Sequence, residues 1–162
     1  MSTVKLIQLT NSTIGAVTAD SFMPLGVTTV VYPSYPATCG PTYTVTSSTS
    51  DTVQINKSGT YRIVYNASVV ATEAGEVTFG LVVNGVTKYT VTATATAAGT
   101  VNVTLPYEVY IPGNCCTSPI NLPAYVQVQS TGVALTSGTS NLIIDKEWLY
   151  YLTLKNVKGQ LN

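Results

Sequence analysis

One acidic pair in the sequence has a spacing that would suit acid–base catalysis. Asp145 and Glu147 are separated by one residue, so on a strand both carboxylates would lie on the same face. Glycosidases use two carboxyl groups about 5–9 Å apart in a cleft. Here Lys146 stands between the acids, and the sequence has no histidine, the commonest general base and metal ligand. We interpret the pair as a charged turn and expect no enzymatic activity, no bound metal and no cofactor.

Three cysteines form the second set of chemically active residues: Cys39, Cys115 and Cys116. Adjacent cysteines rarely bridge each other, and metal sites usually space their cysteine or histidine ligands by two or more residues. Two interpretations stay open. A disulfide from Cys39 to Cys115 or Cys116 would tie two loops together, and the alternative is three reduced thiols packed in loops or interfaces.

Aromatic side chains indicate binding more strongly than catalysis. The chain has eleven tyrosines and one tryptophan, although only 9% of its residues are charged. Tyrosine offers a broad, rigid contact area with a polar tip. Tyr35 and Tyr43 lie in or beside a proline-rich segment, and Tyr125 follows the paired cysteines. These three are candidates for contact with a partner, such as a host-surface glycan, and most other tyrosines are expected in the core or in subunit contacts.

The charge pattern excludes two classes of partner. Seven basic and seven acidic residues give a net charge of zero, without any run of lysine or arginine. Nucleic-acid binding needs a basic surface, so we expect no nucleic-acid partner. No apolar run approaches the roughly 18 residues of a membrane span, so no membrane partner is expected. The first residues lack the apolar core of a secretory signal, which favours synthesis in the cytoplasm.

The rest of the chain has the pattern of short strands. Residues 59–70 alternate with a period of two, as half-buried strands do, and residues 77–85 end in Asn-Gly, which suits a type I′ hairpin turn. Residues 86–96 and 100–111 alternate in the same way, and Pro106 favours an edge or a bulge in the second of them. About nine or ten such strands, with no amphipathic helix, predict an all-β fold, a sandwich or jelly roll.

The domain organisation leaves one segment with two interpretations. Residues 1–20 would form either the first strand of the roll or an N-terminal arm that docks onto a larger particle, and we favour the arm. Residues 130–141 are interpreted as a loop, with a short strand at residues 142–144 that the charged Asp145–Glu147 ends and a closing strand at residues 148–154. The predicted division is an arm at 1–20, a jelly-roll domain at 21–156 and a polar tail at 157–162.

Two short motifs carry a resemblance to a known family. The segment GTYRI at residues 59–63, followed by LVVNG at residues 81–85, resembles the Gly-x-Tyr-x-(apolar) strand and the later (apolar)-x-(apolar)-Asn-Gly turn of the jelly-roll heads of the complement globular-head and tumour-necrosis-factor families. The nearest similarity is to the bacterial and phage branch, which includes the tips of collagen-like exosporium glycoproteins and trimeric phage virion proteins. The segment YLTLK at residues 151–155 resembles the closing strand of that branch.

The resemblance implies a tumour-necrosis-factor-like jelly roll of about 8–10 antiparallel strands that forms a homotrimer, with Tyr107 and Tyr110 near the threefold axis. Residues 59–70 support association independently, because Tyr61 and Tyr65 on one face stand opposite apolar residues on the other. A strand that is apolar on both faces has to be covered twice. Tyr61 and Tyr65 are therefore further candidates for the trimer interface.

We expect a non-enzymatic virion structural protein made in a bacterial host: a capsid decoration, a head fibre or a short fibre tip, attached to the larger particle through its N-terminal arm. The alternative is a receptor- or glycan-binding tip on a phage, a bacterial cell or a spore surface.

Overall fold

A computed structural model of the chain describes residues 3–31, 43–44, 51–112 and 123–147. This part of the chain contains eleven β-strands and no helix. The strands are β1 (Thr3–Ile14), β2 (Ser21–Phe22), β3 (Val27–Val31), β4 (Tyr43–Thr44), β5 (Val53–Ile55), β6 (Gly59–Ala71), β7 (Gly75–Val83), β8 (Val86–Ala95), β9 (Thr100–Ile111), β10 (Ala124–Gly132) and β11 (Leu135–Glu147). The all-β prediction is confirmed.

The strands form two antiparallel sheets that pack face to face. The five-stranded sheet has the order β3-β1-β11-β6-β9, and the six-stranded sheet has the order β4-β5-β10-β7-β8 with the short β2 paired to β10. From β5 to β11 the chain changes sheet at every step except between β7 and β8, which are joined by a hairpin. This crossing of the chain between two sheets is the jelly-roll arrangement.

The core lies between the sheets, and the two-residue period of the strands fills it. Along β6 the side chains of Tyr61, Ile63 and Tyr65 are fully buried, while the residues between them face outwards. Along β9 the alternation predicted from the sequence is also observed, and Val101, Val103, Leu105 and Ile111 are buried. Phe79 on β7 packs opposite them from the six-stranded sheet.

The β7–β8 hairpin has the predicted turn. Asn84 and Gly85 have φ angles of 51° and 75°, the two positive values that a type I′ turn needs. The hairpin is also joined to the neighbouring strand β10, because the Asn84 side-chain oxygen accepts the Tyr125 backbone N–H at 2.8 Å. The Asn84 N–H donates in turn to the Tyr125 carbonyl at 2.9 Å. The Asn-Gly prediction is confirmed, and the asparagine has a second role in positioning Tyr125.

The interpretation of residues 1–20 as a free arm requires correction. Residues 3–14 form β1, which pairs with β11 along one edge and with β3 along the other. Its backbone donors and acceptors are thus used inside the five-stranded sheet, as expected for the first strand of the roll. The roll therefore begins with β1 and not at residue 21, and the proposed boundary between residues 156 and 157 remains a prediction.

The second correction concerns β11. The predicted loop at residues 130–141 and the predicted charged break at Asp145–Glu147 are both wrong, because one strand runs from Leu135 to Glu147. The polar residues of this strand alternate with buried ones, and Asp145 pairs in register with Arg62 on β6. The charged residues are therefore part of the ladder. The predicted closing strand at residues 148–154 lies outside the described residues.

Candidate functional site: an open edge and a sheet face

The two sheets do not close on each other along one side of the sandwich. There β8 and β9 are the edge strands of their sheets, and each pairs on one side only. Their inward-facing side chains reach the core but are only half-buried or partly exposed, because nothing in the described chain covers this side. We call this strip the open edge; it consists of Tyr89, Val91, Ala93, Tyr107 and Val109.

A stacked tyrosine pair joins the two sheets at the open edge. The rings of Tyr89 on β8 and Tyr107 on β9 have centroids 6.2 Å apart and an interplanar angle of 23°. Such pairs contribute about 0.5–1.5 kcal/mol beyond the area that they bury. Tyr89 is nevertheless 40% exposed. The pair thus gives the edge a rigid aromatic end that another surface can contact.

The outer face of the five-stranded sheet is a second, different surface. Its side chains form rows across the strands, since residues paired in register point to the same side. One row is apolar: Ile143 on β11, Val64 on β6 and Pro106 on β9 are paired in register, and the first two are half-buried. The next row is charged and contains Asp145, Arg62 and Glu108.

The structure separates the four tyrosines that the sequence nominated for a trimer interface. Tyr107 lies in the open edge, and Tyr110 lies on the outer face of β9 with 69% of its surface exposed. Tyr61 and Tyr65 are completely buried in the core, so they cannot contact a second copy. Their nomination was wrong because the face of β6 that carries them is the core face, and the opposite face is mostly polar, with Arg62, Asn66 and Ser68. The outward face of β6 is the one that carries Val64.

The two buried tyrosines differ in how their hydroxyl groups are satisfied. The Tyr61 hydroxyl donates to the Lys57 carbonyl at 2.7 Å, and the Lys146 ammonium lies 5.6 Å from the Tyr61 ring centroid. The Tyr65 hydroxyl is buried beside Ser140, but among the described residues the two oxygens do not meet ordinary hydrogen-bond geometry. Burial raises the pKa of Tyr61, and it raises that of Tyr65 to about 12 with a small opposing effect of Ser140.

This difference predicts opposite responses to the same substitution. Tyr61→Phe is expected to lower the free energy of unfolding by about 1–2 kcal/mol, because it leaves the Lys57 carbonyl without its donor. Tyr65→Phe removes a hydroxyl that has no well-formed hydrogen bond, so we expect it to leave stability unchanged or to raise it by up to about 1 kcal/mol. Urea unfolding followed by circular dichroism measures both. Equal losses in the two variants would contradict the assignment.

The remaining sequence candidates are only partly visible. Tyr125 lies on the outer face of the six-stranded sheet and is 43% exposed. The side chain of Tyr43 and all of Tyr35, Cys39, Cys115 and Cys116 lie outside the described residues, so the partner-contact and disulfide interpretations remain predictions. In the described part of the chain, Tyr43 pairs with Ile55 on β5, and Ile55 pairs in turn with Ala124, the residue before Tyr125.

Asp145 is the member of the acidic pair considered for catalysis whose side chain the structure describes. Asp145 is half-buried on the outer face of the five-stranded sheet, where Arg62 is its register partner on β6, and its Oδ1 accepts no hydrogen bond from the described residues. In the described ranges there is no group of three or more cysteine, aspartate or glutamate side chains that could hold a metal ion. No helix in these ranges is long and apolar enough to cross a membrane.

A groove on the outer face of the five-stranded sheet was not anticipated from the sequence. It has a volume of about 590 Å³ and lies beside the apolar row. Amide and hydroxyl side chains from four strands line it, and we call it the amide groove. Its principal residues are Thr10, Asn66, Ser68, Asn102, Thr104 and Asn141.

Comparison with known proteins supports the fold and nothing finer. No protein-family model matches the sequence, and no curated protein is significantly similar to it. Solved structures do match. An Eiger tumour necrosis factor from S. frugiperda has a TM-score of 0.63 at 11% identity, covering 91% of this chain and 94% of that one. The globular domain of zebrafish complement 1qA has a TM-score of 0.59 at 7% identity, covering 85% and 93%.

The third similar structure comes from a phage. The PRD1 vertex protein P5 matches with a TM-score of 0.56 at 16% identity, covering 90% of this chain and 99% of that one. Identities this low show a shared fold and do not show a shared task. The two antiparallel sheets of this chain therefore form a tumour-necrosis-factor-like and complement-globular-head-like jelly roll.

Proposed function

We propose that this chain is a non-enzymatic structural protein of a phage particle that assembles as a homotrimer, as a capsid decoration, a head fibre or a short fibre tip. The observation that carries the proposal is the open edge, whose half-buried apolar side chains require a cover. The likeness of the fold to the PRD1 vertex protein P5 supports the placement on a phage. On this proposal the protein resides in the virion, with a larger particle as its partner.

The geometry of the two surfaces favours a closed ring. The open edge is narrow and carries Tyr89 and Tyr107, whereas the outer face of the five-stranded sheet is broad and carries Val64 and Ile143. A contact between unlike surfaces is heterologous, and it terminates only when the rotation between copies closes a ring. The resemblance of residues 59–63 and 81–85 to trimeric heads supports three copies.

The absence of catalysis in this proposal rests on the residue inventory. The sequence contains no histidine, and the acidic pair considered for catalysis lies along a paired strand. Asp145 has Arg62 as its register neighbour on one side and a β1 residue, Lys5, on the other. A carboxylate within a paired ladder lies on the face of a sheet, whereas a general acid has to meet its substrate in a cleft.

Light scattering on the purified protein tests the assembly, and we expect a mass near three times the 17.1 kDa of one chain. A stable monomer at micromolar concentration would reject the homotrimer. Immunogold labelling of particles from the phage that carries the gene tests the location. Labelled particles support the virion assignment, and label confined to the host surface would replace it with the alternative below.

A receptor- or glycan-binding tip, on a phage, a bacterial cell or a spore surface, is the second candidate function. One observation favours it specifically: the amide groove is lined by uncharged hydrogen-bonding groups on the same sheet as the apolar row. Binding and structural roles are compatible in one virion protein, so this candidate does not compete with the trimer.

A further inference from the structure

The amide groove is built from two neighbouring rows of side chains. In the first row Thr10, Asn141, Asn66 and Thr104 are paired in register across β1, β11, β6 and β9. In the second row the register continues through Thr139, Ser68 and Asn102. Every one of these side chains is an amide or a hydroxyl. Because the rows cross four strands, the groove presents a two-dimensional array of donors and acceptors on a rigid sheet.

One side chain of the array has an unused acceptor. The Oδ1 atom of Asn141 is buried and accepts no hydrogen bond from the described residues. The neighbouring Asn66 has its oxygen occupied, since Thr104 donates to Asn66 Oδ1 at 2.9 Å, and this contact leaves the Asn66 amide N–H groups available. A buried acceptor without a donor costs about 1–3 kcal/mol. A ligand hydroxyl would recover part of that free energy once the Asn141 amide turns about χ2 and brings Oδ1 to the surface of the groove.

Asn11 also lines the groove, but both polar atoms of its amide already have hydrogen-bond partners within the chain. Its Nδ2 donates to the Pro24 carbonyl at 3.0 Å, and its Oδ1 accepts the Thr13 N–H at 3.1 Å. Both ends of this side chain therefore hold the irregular end of β1 against the segment that precedes β3. The Asn11 amide is already used, unlike that of Asn66 or Asn141.

Charge decides which ligands fit. None of the described residues that line the groove is charged. The nearest charged positions on β6 and β11 are Arg62 and Asp145, four residues from Asn66 and Asn141, which corresponds to about 13 Å along a strand. An anionic or cationic ligand would lose its hydration here without gaining a counter-charge. The lining therefore suits a neutral ligand rich in hydroxyl groups better than a charged one.

From this array we propose that the amide groove binds a neutral saccharide. Each sugar hydroxyl both donates and accepts, so one hydroxyl can donate to Asn141 Oδ1 while a neighbouring one accepts from Asn66 Nδ2. A sugar ring holds its two hydroxyls at a fixed spacing, so both bonds form in one binding event. Separate water molecules at the same positions would each lose translational and rotational entropy. The inference rests on the receptor- or glycan-binding role above, and it does not require the homotrimer.

A second copy of the chain is the competing occupant. The apolar row of Val64 and Ile143 lies next to the groove on the same face, so an approaching copy could extend over it. We favour the saccharide because the groove presents two rows of amides and hydroxyls, whereas the open edge that would approach has only the hydroxyls of Tyr89 and Tyr107 as side-chain hydrogen-bonding groups.

The test is a nuclear magnetic resonance titration of the labelled protein with the neutral sugars D-glucose, D-galactose, N-acetylglucosamine and lactose, and with N-acetylneuraminic acid as the anionic comparison. We expect at least one neutral sugar to shift the amide resonances of Asn66 and Asn141, and the anionic sugar to shift neither. Asn141→Leu and Asn66→Leu should each weaken that binding by about tenfold or more, equivalent to about 1.4 kcal/mol. Thr90→Leu, on the outer face of the other sheet, should leave it unchanged.

Three results would overturn the inference. The first is that no neutral sugar at millimolar concentration shifts any amide resonance. The second is that the shifted resonances belong to residues outside the groove. The third is that Asn141→Leu and Asn66→Leu both bind the sugar as tightly as the unaltered protein. If the leucine variants alter the mass of the assembly and no sugar binds, the groove is a subunit contact. The mass of the unaltered protein is measured separately, so a failed saccharide proposal and a failed homotrimer give different data. Unfolding midpoints of the variants confirm that each is folded.

Discussion

Phe79→Ala is expected to lower the free energy of unfolding by about 3–5 kcal/mol, which is a large part of the total for a domain of this size. Phe79 is completely buried on β7 and packs against Tyr65 of the opposite sheet, with ring centroids 6.4 Å apart. Its removal therefore leaves a cavity between the two sheets where neither strand can move inwards without breaking its ladder. Urea unfolding followed by circular dichroism gives the value.

Phe22 supplies a matched control, since it is the other phenylalanine of the chain. It is 38% exposed on the short strand β2. We expect Phe22→Ala to cost less, about 1–2 kcal/mol, because more than a third of this residue is already exposed and its truncation leaves no closed cavity. A cost of Phe79→Ala as small as that of Phe22→Ala would show that the two sheets do not share the core described here.

Tyr89→Arg is expected to convert the proposed trimer to monomers. It places a charge at the aromatic end of the open edge, where a neighbouring copy would have to desolvate it without a partner. A tyrosine buried at an interface often contributes about 2 kcal/mol or more to the free energy of association. A closed ring repeats the same contact, so the substitution weakens every contact by that amount. In the isolated chain Tyr89 is 40% exposed, so the monomer should remain folded. Light scattering at several concentrations measures the change.

Thr90→Arg is the control for this prediction. Thr90 is the next residue on β8, but it is exposed on the outer face of the six-stranded sheet. The same charge at this position should leave the mass of the assembly unchanged. If both variants stay trimeric, the open edge is not a subunit contact, and the face that carries Tyr110 becomes the next region to test.

Much of the fold could be predicted because local periodicity and turn chemistry agree with each other. β6, β8 and β9 each show a clear two-residue period, and Asn84-Gly85 has the φ angles that its sequence indicates. β11 was missed for a physical reason. Its serines, threonines and glycine resemble a loop in isolation, and only pairing with β1 on one side and β6 on the other makes them a strand.

The candidate surfaces were harder to predict, because they depend on which face of a strand is inside. The period shows that Tyr61 and Val64 point to opposite sides, but it does not show which side is the core. The amide groove was missed because its parts, such as Asn66, Asn102 and Asn141, are far apart in the sequence and become neighbours only through register. The available signal was weak: asparagine, serine and threonine recur at alternate positions of three strands.

Pro106 has a consequence for how this protein behaves at high concentration. It lies within β9, the exposed edge strand of the five-stranded sheet, and its register partner is Val64. Proline has no backbone N–H that could bond to an incoming strand. On β8, the other strand of the open edge, the pairing with β7 is distorted by a register shift between Leu81 and Val82. Both edges are thus poor templates for cross-β growth, although valine and threonine are abundant in the chain. Copies can meet at this side through their side chains, while the backbone resists being extended into a fibril.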